Sequence, residues 1–404
     1  MIFTGKRILL GVSGGIAAYK AAELARRLIS AGARVQVMMT RAAQEFVGPL
    51  TFQALTGEKV AAAMFGPGSD PLEHVALGQE VDAIVLAPAT ANLIGKLAAG
   101  IGDDLLTTVM LAATKPVLVC PAMNDQMWHN PVVQENLDRL RARGLHVMEP
   151  EAGELACGAV GLGRLPEPEA IVEAASRLVS PQDFMGYRVL VTAGPTYEDF
   201  DPVRFLTNRS SGKQGYALAR VAWRRGADVC LISGPTALPA PYGVELVPLR
   251  SAREMADAVK ERFPGTDVLL MAAAVSDYRP SRAEVKKMKR GQEEMQYHLT
   301  QNPDILKGLA RRKTRQVVVG FAAETHDLEA EARRKVREKN LDLIVANDVN
   351  RPDSGFQADT NEVTLIAREG EAERLPLLHK EEVAARILDR VARLVAARWE
   401  TVSA

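Results

Sequence analysis

At 404 residues the chain is longer than one compact core usually serves, which suggests two or three domains. It is 47% hydrophobic and 25% charged, and its 50 basic and 50 acidic side chains balance, so no basic excess marks a nucleic-acid surface. No apolar run reaches membrane-spanning length, and Cys120, Cys157 and Cys230 lie far apart without a CxxC pair, which argues against a zinc site or disulfide framework and fits a reducing cytoplasm.

The chain opens directly into RILLGVSGGIAAYKAAELARRLISAGARVQVMMT, which reads as strand, glycine-rich turn, amphipathic helix and strand. Such a unit points backbone N–H groups and a helix N-terminus at anions, usually phosphates. GVSGG is not GxGxxG, and the second strand ends MMTR without the acidic residue that grips a ribose, so a nicotinamide site is disfavoured. Ser13, Gly14, Thr40 and the PATAN segment Pro88–Asn92, with Thr90 and Asn92, suit a phosphate and a polar ring edge; a strand–turn–helix without ligand fits the same pattern.

His74 precedes the strand DAIVLAP and is either a neutral-pH acid/base or a histidine packed against a helix. The strand PVLVC leads into PAMNDQMW, where Asn124 can aim an amide at a carboxylate and Met127 and Trp128 can wall a pocket. A capped turn with core methionines reads the eight residues equally well. LACGAVGLGRLPEP sets Cys157 among glycines, either as a flap carrying a thiol or as a flexible connector. The helix PEPEAIVEAASRLV and the linker SPQDFMG then close the first half, placing a boundary near residues 180–187.

A second unit begins YRVLVTAGPT and continues SSGKQGYALARVAWRRGADVCLISGPT. SSGKQG is not a Walker A motif, because Thr207 stands at the first glycine position and Gln214 follows the lysine. Strands are expected at VLLMAAAV, VVVGFAAE and LIVAND, short aliphatic runs of the kind buried in parallel sheets, whose C-terminal ends receive ligands. AAAVSDYRP carries Ala273 and Asp277 at a strand end, and KKMK with Lys287 follows inside Arg282–Gln296, read as a loop or flap. That cluster is a solvated loop or a stabiliser of phosphate charge. NPDIL supplies Pro303, Asp304, Ile305 and Leu306; Lys335 and Lys339 share one helix face; Glu382–Arg398 reads as a terminal amphipathic helix.

Taken together and in this order, these motifs resemble the bifunctional CoaBC (Dfp) family of coenzyme A biosynthesis, over essentially the whole chain. GGIAAYK, PATAN, PAMNDQMW and ACGAVGLGR look like the signatures of its flavin-dependent cysteine decarboxylase half, whereas DPVRFLTNRSSGKQG, AAAVSDYRP, KMK, NPDIL, GFAAET and ANDV look like its ligase half. The resemblance implies α/β architecture in two Rossmann-like or flavodoxin-like domains, each an open, mostly parallel sheet flanked by helices. It assigns 1–180 to an FMN-dependent phosphopantothenoylcysteine decarboxylase and 187–404 to a CTP-dependent phosphopantothenate–cysteine ligase. FMN would lie around Ser13–Gly15, Thr40 and Pro88–Asn92. His74 matches the active-site histidine, Asn124 and Met127 match substrate-recognition positions, and Cys157 matches the flap cysteine. In that chemistry a thioaldehyde accepts the electrons released as CO₂ leaves, and an enethiol results.

For the ligase half the resemblance implies an acyl-cytidylate intermediate. Lys287 matches the catalytic lysine and Asn208 the residue associated with the intermediate; Ala273, Asp277, Pro303–Leu306, Phe321, Lys335 and Lys339 match CTP-contact positions. Magnesium is expected with the triphosphate, its ligands unassigned. Arg290 stands where the family more often has lysine, and Thr90 where serine is common. Trimeric decarboxylase contacts and dimeric ligase contacts, hence a dodecamer, are implied, with small-molecule substrates as the partners. Competing readings are a redox or prenyltransferase-like flavoprotein fused to a nucleotide-binding domain, and a flavin-bearing nucleic-acid-binding regulator; the ligase-like half and the balanced charge weigh against them.

Overall fold

The structure, a computed structural model, describes residues 1–65, 72–156, 158, 160–289, 296–324, 328–348 and 358–403. The chain divides into two compact units, Met1–Ser180 and Pro181–Ala404.

In the first unit, β1 (Arg7–Val12), β2 (Arg34–Met39), β3 (Ala83–Ala89), β4 (Val117–Pro121) and β5 (His146–Val147) form a five-stranded parallel sheet in the order β2-β1-β3-β4-β5. A hairpin of β6 (Glu151–Glu154) and β7 (Val160–Arg164) follows. The intervening helices are α1 (Ala18–Ser30), α2 (Arg41–Gln44), α3 (Pro49–Thr56), α4 (Glu73–Gln79), α5 (Ala91–Ala99), α6 (Leu105–Ala112), α7 (Asp125–Trp128), α8 (Pro131–Ala142) and α9 (Pro168–Val179). Alternation along β1 sorts the core. Ile8, Leu10 and Val12 face one cluster with Leu24 and Leu28 of α1 and Ile171 of α9, while Leu9 faces a second with Leu93 of α5 and Leu106 of α6. A strand buried on both faces reads as a continuous aliphatic run, which is why RILLGV and AIVLAPA lack a polar alternation.

The second unit repeats the plan at larger scale. Its strands are β8 (Arg188–Ala193), β9 (Tyr197–Asp199), β10 (Phe205–Thr207), β11 (Asp228–Ser233), β12 (Glu245–Pro248), β13 (Val268–Met271), β14 (Tyr278–Pro280), β15 (Leu299–Gln301), β16 (Val317–Glu324), β17 (Leu343–Asp348), β18 (Thr360–Asn361), β19 (Val363–Ala367), β20 (Glu373–Arg374) and β21 (Leu378–His379). Eight of them form one sheet, β12-β11-β8-β13-β16-β17-β19-β20, parallel from β12 to β17 and antiparallel beyond. Helices α10 (Lys213–Arg224) and α14 (Lys380–Ser403) cover the face bearing Val191, Leu231 and Leu270; α11 (Ala252–Arg262), α12 (Ile305–Ala310) and α13 (Leu328–Glu338) cover the face bearing Leu190, Ile232 and Leu269. Small hairpins β9–β10 and β14–β15 rise beside the sheet.

The fold is the mostly parallel α/β class expected from the sequence, with differences at the end of β13 and in the terminal helix. The run VLLMAAAV leaves the sheet at Met271, because Ala272 N–H turns back to Leu270 O and Ala273 N–H donates to Thr192 Oγ1. The segment expected as one loop, Arg282–Gln296, connects β14 to β15, with Arg290 among the residues outside the described set. The terminal helix spans Lys380–Ser403 rather than Glu382–Arg398. No helix among the described residues is long and apolar enough to cross a membrane.

Leu270 is fully buried at the centre of the second unit's sheet, so Leu270→Ala removes contacts on a face that cannot collapse to fill the space. The expected cost is about 2–5 kcal/mol, read as a lower urea midpoint for the unfolding transition of the second unit.

Candidate active site

The C-terminal ends of β1, β2, β3 and β4 converge on a cavity of about 1300 Å³. Its lining includes Ser13, Gly14, Gly15, Thr40, Pro88, Thr90, Asn92, Asn124 and Met127, which the sequence placed at separate strand ends. The volume and the strand-end position match those of a cofactor-sized site in an open α/β sheet. Gly14 is required where the β1 turn meets α2, since a Cβ there would lie 2.4 Å from the Ala42 Cβ.

Hydroxyls on the cavity wall are fixed by the backbone. Thr40 caps α2, its Oγ1 accepting from Ala43 N–H at 3.2 Å, and Thr90 caps α5, accepting from Leu93 N–H at 3.4 Å. A capping oxygen is held as an acceptor, so the hydroxyl proton is left as the donor for an anionic ligand. Ser13 is buried and joins two strand ends: its hydroxyl lies 2.7 Å from Pro88 O and accepts from Thr90 N–H at 2.9 Å. Lys20, Arg41 and Arg164 also line the cavity, with Lys20 paired to Glu167 at 2.9 Å and Arg164 to the same carboxylate at 3.3 Å. Sequence reasoning missed these cations. Lys20 and Arg164 sit inside GGIAAYK and ACGAVGLGR, and the signal available was a basic residue close to a strand end.

PAMNDQMW runs from the end of β4 into the single turn of α7. Asn124 caps that turn, its Oδ1 accepting from Gln126 N–H at 2.9 Å, so the amide NH₂ is the donor end of the side chain. Met127 is 46% exposed and lines the cavity, whereas Trp128 is 5% exposed and belongs to the core below. The β6–β7 hairpin is joined to this turn at two points. Met123 N–H donates to Gly163 O at 2.9 Å, and Leu162 N–H donates to Asp125 Oδ1 at 2.9 Å. Leu155 and Ala156 of the connecting loop line the cavity; Cys157 lies outside the described residues. His74 stands on α4, partly buried, and is not among the cavity's lining residues.

In the second unit the named residues are spread over several elements, from the segment after β10 to α13. Asn208 Nδ2 donates to Val275 O at 3.0 Å, and Asp277 O accepts from Asn302 N–H at 2.8 Å, so those two segments meet. Asp304 caps α12, accepting from Lys307 N–H at 3.0 Å, and its other oxygen is 3.1 Å from Lys339 Nζ. Pro303 is exposed, Ile305 buried, and Leu306 and Phe321 partly buried; Lys335 is partly buried on α13. Lys287 is exposed on the β14–β15 connection. Lys213 of SSGKQG pairs with Asp359 at 2.6 Å beside Lys380, whose ammonium is pushed down to about 8 by burial and by the Lys213 charge. An amine engaged in this way is not a P-loop lysine. No group of three or more His, Cys, Asp or Glu able to hold a metal ion occurs among the described residues.

The chain is thus two α/β units, the first of which carries a cofactor-sized cavity at its strand ends. Residues 3–180 match the family model described as Flavoprotein, and residues 184–395 match the DNA/pantothenate metabolism flavoprotein C-terminal domain, so the first unit is a flavin-binding unit. The coenzyme A biosynthesis bifunctional protein CoaBC of Vibrio vulnificus (strain YJ016) is 47% identical over 395 residues, covering 97% of this chain and 98% of the relative. The protein of the same description from Bacillus subtilis (strain 168) is 47% identical over 398 residues, with 97% and 98% covered. A crystal structure of the C-terminal domain of a CoaBC protein is 44% identical, with a TM-score of 0.47, and the match covers 54% of this chain and 99% of that one. The chain belongs to the CoaBC family of bifunctional coenzyme A biosynthesis enzymes.

Gly163 has φ +137°, and a Cβ there would lie 2.2 Å from Met123 O. Gly163→Ala is therefore expected to lift the hairpin off the Asn124 turn. Visible flavin absorbance per mole of purified protein should fall, with the unfolding midpoint of the second unit unchanged.

Proposed function

We propose that the second unit joins 4′-phosphopantothenate to cysteine with CTP and that the first decarboxylates the product to 4′-phosphopantetheine. The observation that carries this reading is the single cavity in which Thr40, Thr90, Asn92, Asn124 and Met127 meet at the strand ends of the flavin-binding unit. Capping hydroxyls, backbone N–H groups and an apolar wall fit FMN, which Ser13, Gly14, Gly15, Thr40, Pro88, Thr90 and Asn92 would hold. When bound, FMN supplies the two-electron oxidation of the cysteine thiol and the return of those electrons, so the loss of CO₂ is redox-neutral overall.

The chain's own residues do the rest. Asn124, its oxygen committed to capping α7, presents amide N–H to the substrate carboxylate and holds the C–CO₂ bond in place for cleavage. Met127 packs against the acyl chain. Cys157, next in sequence to Leu155 and Ala156 of the cavity lining, delivers a proton to the enethiol. His74 assists removal of the thiol proton. Exposed Ile16, Tyr19, Leu50, Phe65 and Leu72 supply apolar surface for a homo-oligomer, read as trimeric in this unit and dimeric in the other.

In the ligase reaction the carboxylate oxygen of 4′-phosphopantothenate attacks the α-phosphorus of CTP, pyrophosphate leaves, and the cysteine amine then displaces CMP from the acyl-cytidylate. Lys287 offsets charge on the transferring phosphoryl group, and Asn208 holds the acyl intermediate. Ala273, Asp277, Pro303–Leu306, Phe321, Lys335 and Lys339 form the CTP site, with Mg²⁺ accompanying the triphosphate. Cytoplasmic residence accords with these soluble substrates.

The test is coupled turnover: cysteine, 4′-phosphopantothenate and CTP should together yield CO₂, pyrophosphate and 4′-phosphopantetheine. A protein that retains no FMN and releases no CO₂ would overturn the first-unit assignment. Cys157→Ser should leave the flavin absorbance bleached and an enethiol accumulating; normal turnover by this variant removes Cys157 as proton donor. Lys287→Gln should lower pyrophosphate release by about 10²–10³-fold while sparing decarboxylation of added 4′-phosphopantothenoylcysteine.

A further inference from the structure

The DPVR segment ahead of Asn208 has no task in the reading above, yet it holds one of the few buried carboxylates of the second unit. Asp201 is 2% exposed. Its Oδ1 accepts from Val203 N–H at 2.7 Å and from Arg204 N–H at 2.9 Å, which closes the tip of the β9–β10 hairpin. Its Oδ2 accepts from Met288 N–H at 3.1 Å, the residue directly after Lys287. The same two segments meet again where Glu284 N–H donates to Phe200 O at 2.8 Å and where Arg204 Nη2 donates to Met288 O at 3.3 Å. Burial alone would raise the Asp201 carboxyl. The backbone donors of Val203, Met288 and Arg204 outweigh that and hold it below its ordinary value, so it stays an acceptor at neutral pH.

We propose that Asp201 is a positioning residue for ligation, anchoring the backbone beside Lys287 to the hairpin that leads into Asn208. The proposal rests on the assignment of Lys287 to the ligase reaction. Lys287 is exposed and the described residues 281–289 around it form no helix or strand, so without an anchor its ammonium samples many positions. One carboxylate supplies the anchor with a division of labour: Oδ1 shapes the hairpin, Oδ2 reaches the lysine segment. Thr207, the last residue of β10, is fixed in turn by Oγ1 donating to Thr196 O at 2.9 Å, so the path from Asp201 to Asn208 is itself pinned. Lysine and asparagine thereby share one reference point.

Asp201→Asn separates the two tasks. Its amide oxygen can still accept at the hairpin tip, but its NH₂ then faces the Met288 N–H, donor against donor. In the full-length protein the variant should lower pyrophosphate release from CTP and 4′-phosphopantothenate by about tenfold or more. The affinity for CTP and the decarboxylation of added 4′-phosphopantothenoylcysteine should be unchanged. Combined with Lys287→Gln it should bring no further loss, because the anchor acts through the lysine. Met288→Pro, which deletes the donor and leaves Asp201 in place, should reproduce the loss and serves if Asp201→Asn lowers the midpoint. Wild-type pyrophosphate release by either variant overturns the proposal, as does an equal loss with and without Lys287. If Lys287→Gln itself ligates normally, the assignment beneath the proposal fails instead.

Discussion

The constraint on which this molecule turns is burial of both faces of a parallel sheet. Strands such as RILLGV, AIVLAPA and RVLVTA have no solvated side on which a polar group can sit without losing hydrogen bonds. Polar side chains are therefore displaced to the strand ends, where the backbone leaves the sheet and helix N-termini collect. Ser13, Thr40, Thr90 and Asn124 each stand at such an exit, and their oxygens are taken up in capping or joining backbone there. The cavity follows from the core rather than being added to it.

This is also why so much was legible beforehand. Unbroken aliphatic runs ending in small or polar residues announce both the sheet and the side of it that binds, and the mostly parallel α/β class follows from their alternation with helices. Residues contributed by short hairpins were harder to read. The β6–β7, β9–β10 and β14–β15 pairs are three to five residues a side and rich in glycine, charge or proline, so period-two alternation has no room to appear. The AAAV tail of β13 was misread for the opposite reason. Its apolar character continues past the point where the Thr192 hydroxyl draws the backbone out of the ladder, and composition carries no trace of that hydrogen bond. Lys20 and Arg164 escaped notice because a basic residue near a strand end is usually solvated surface.

The hairpins share a design. Each is short, and carboxylates accepting backbone N–H tie them to their surroundings: Asp125 from Leu162 holds β6–β7 to the turn after β4, and Asp201 from Met288 holds the β14–β15 connection to β9–β10. A carboxylate accepting from backbone donors is a stronger tether than a neutral contact and imposes a direction on the chain it holds. Loops that carry reactive side chains can in this way be long enough to reach a ligand and still be ordered where they depart from the scaffold.

Met127 and Trp128 are adjacent in a single helical turn and have opposite environments, one in the cavity wall and the other beneath it in the core. The indole prevents the turn from rotating, so the position beside it inherits a fixed orientation without contributing to the packing that fixes it. Cavity shape and thermodynamic stability are thereby held by different neighbouring residues. A lineage can exchange the methionine for a side chain of another shape and so reshape the cavity wall, while the fold that presents it stays intact.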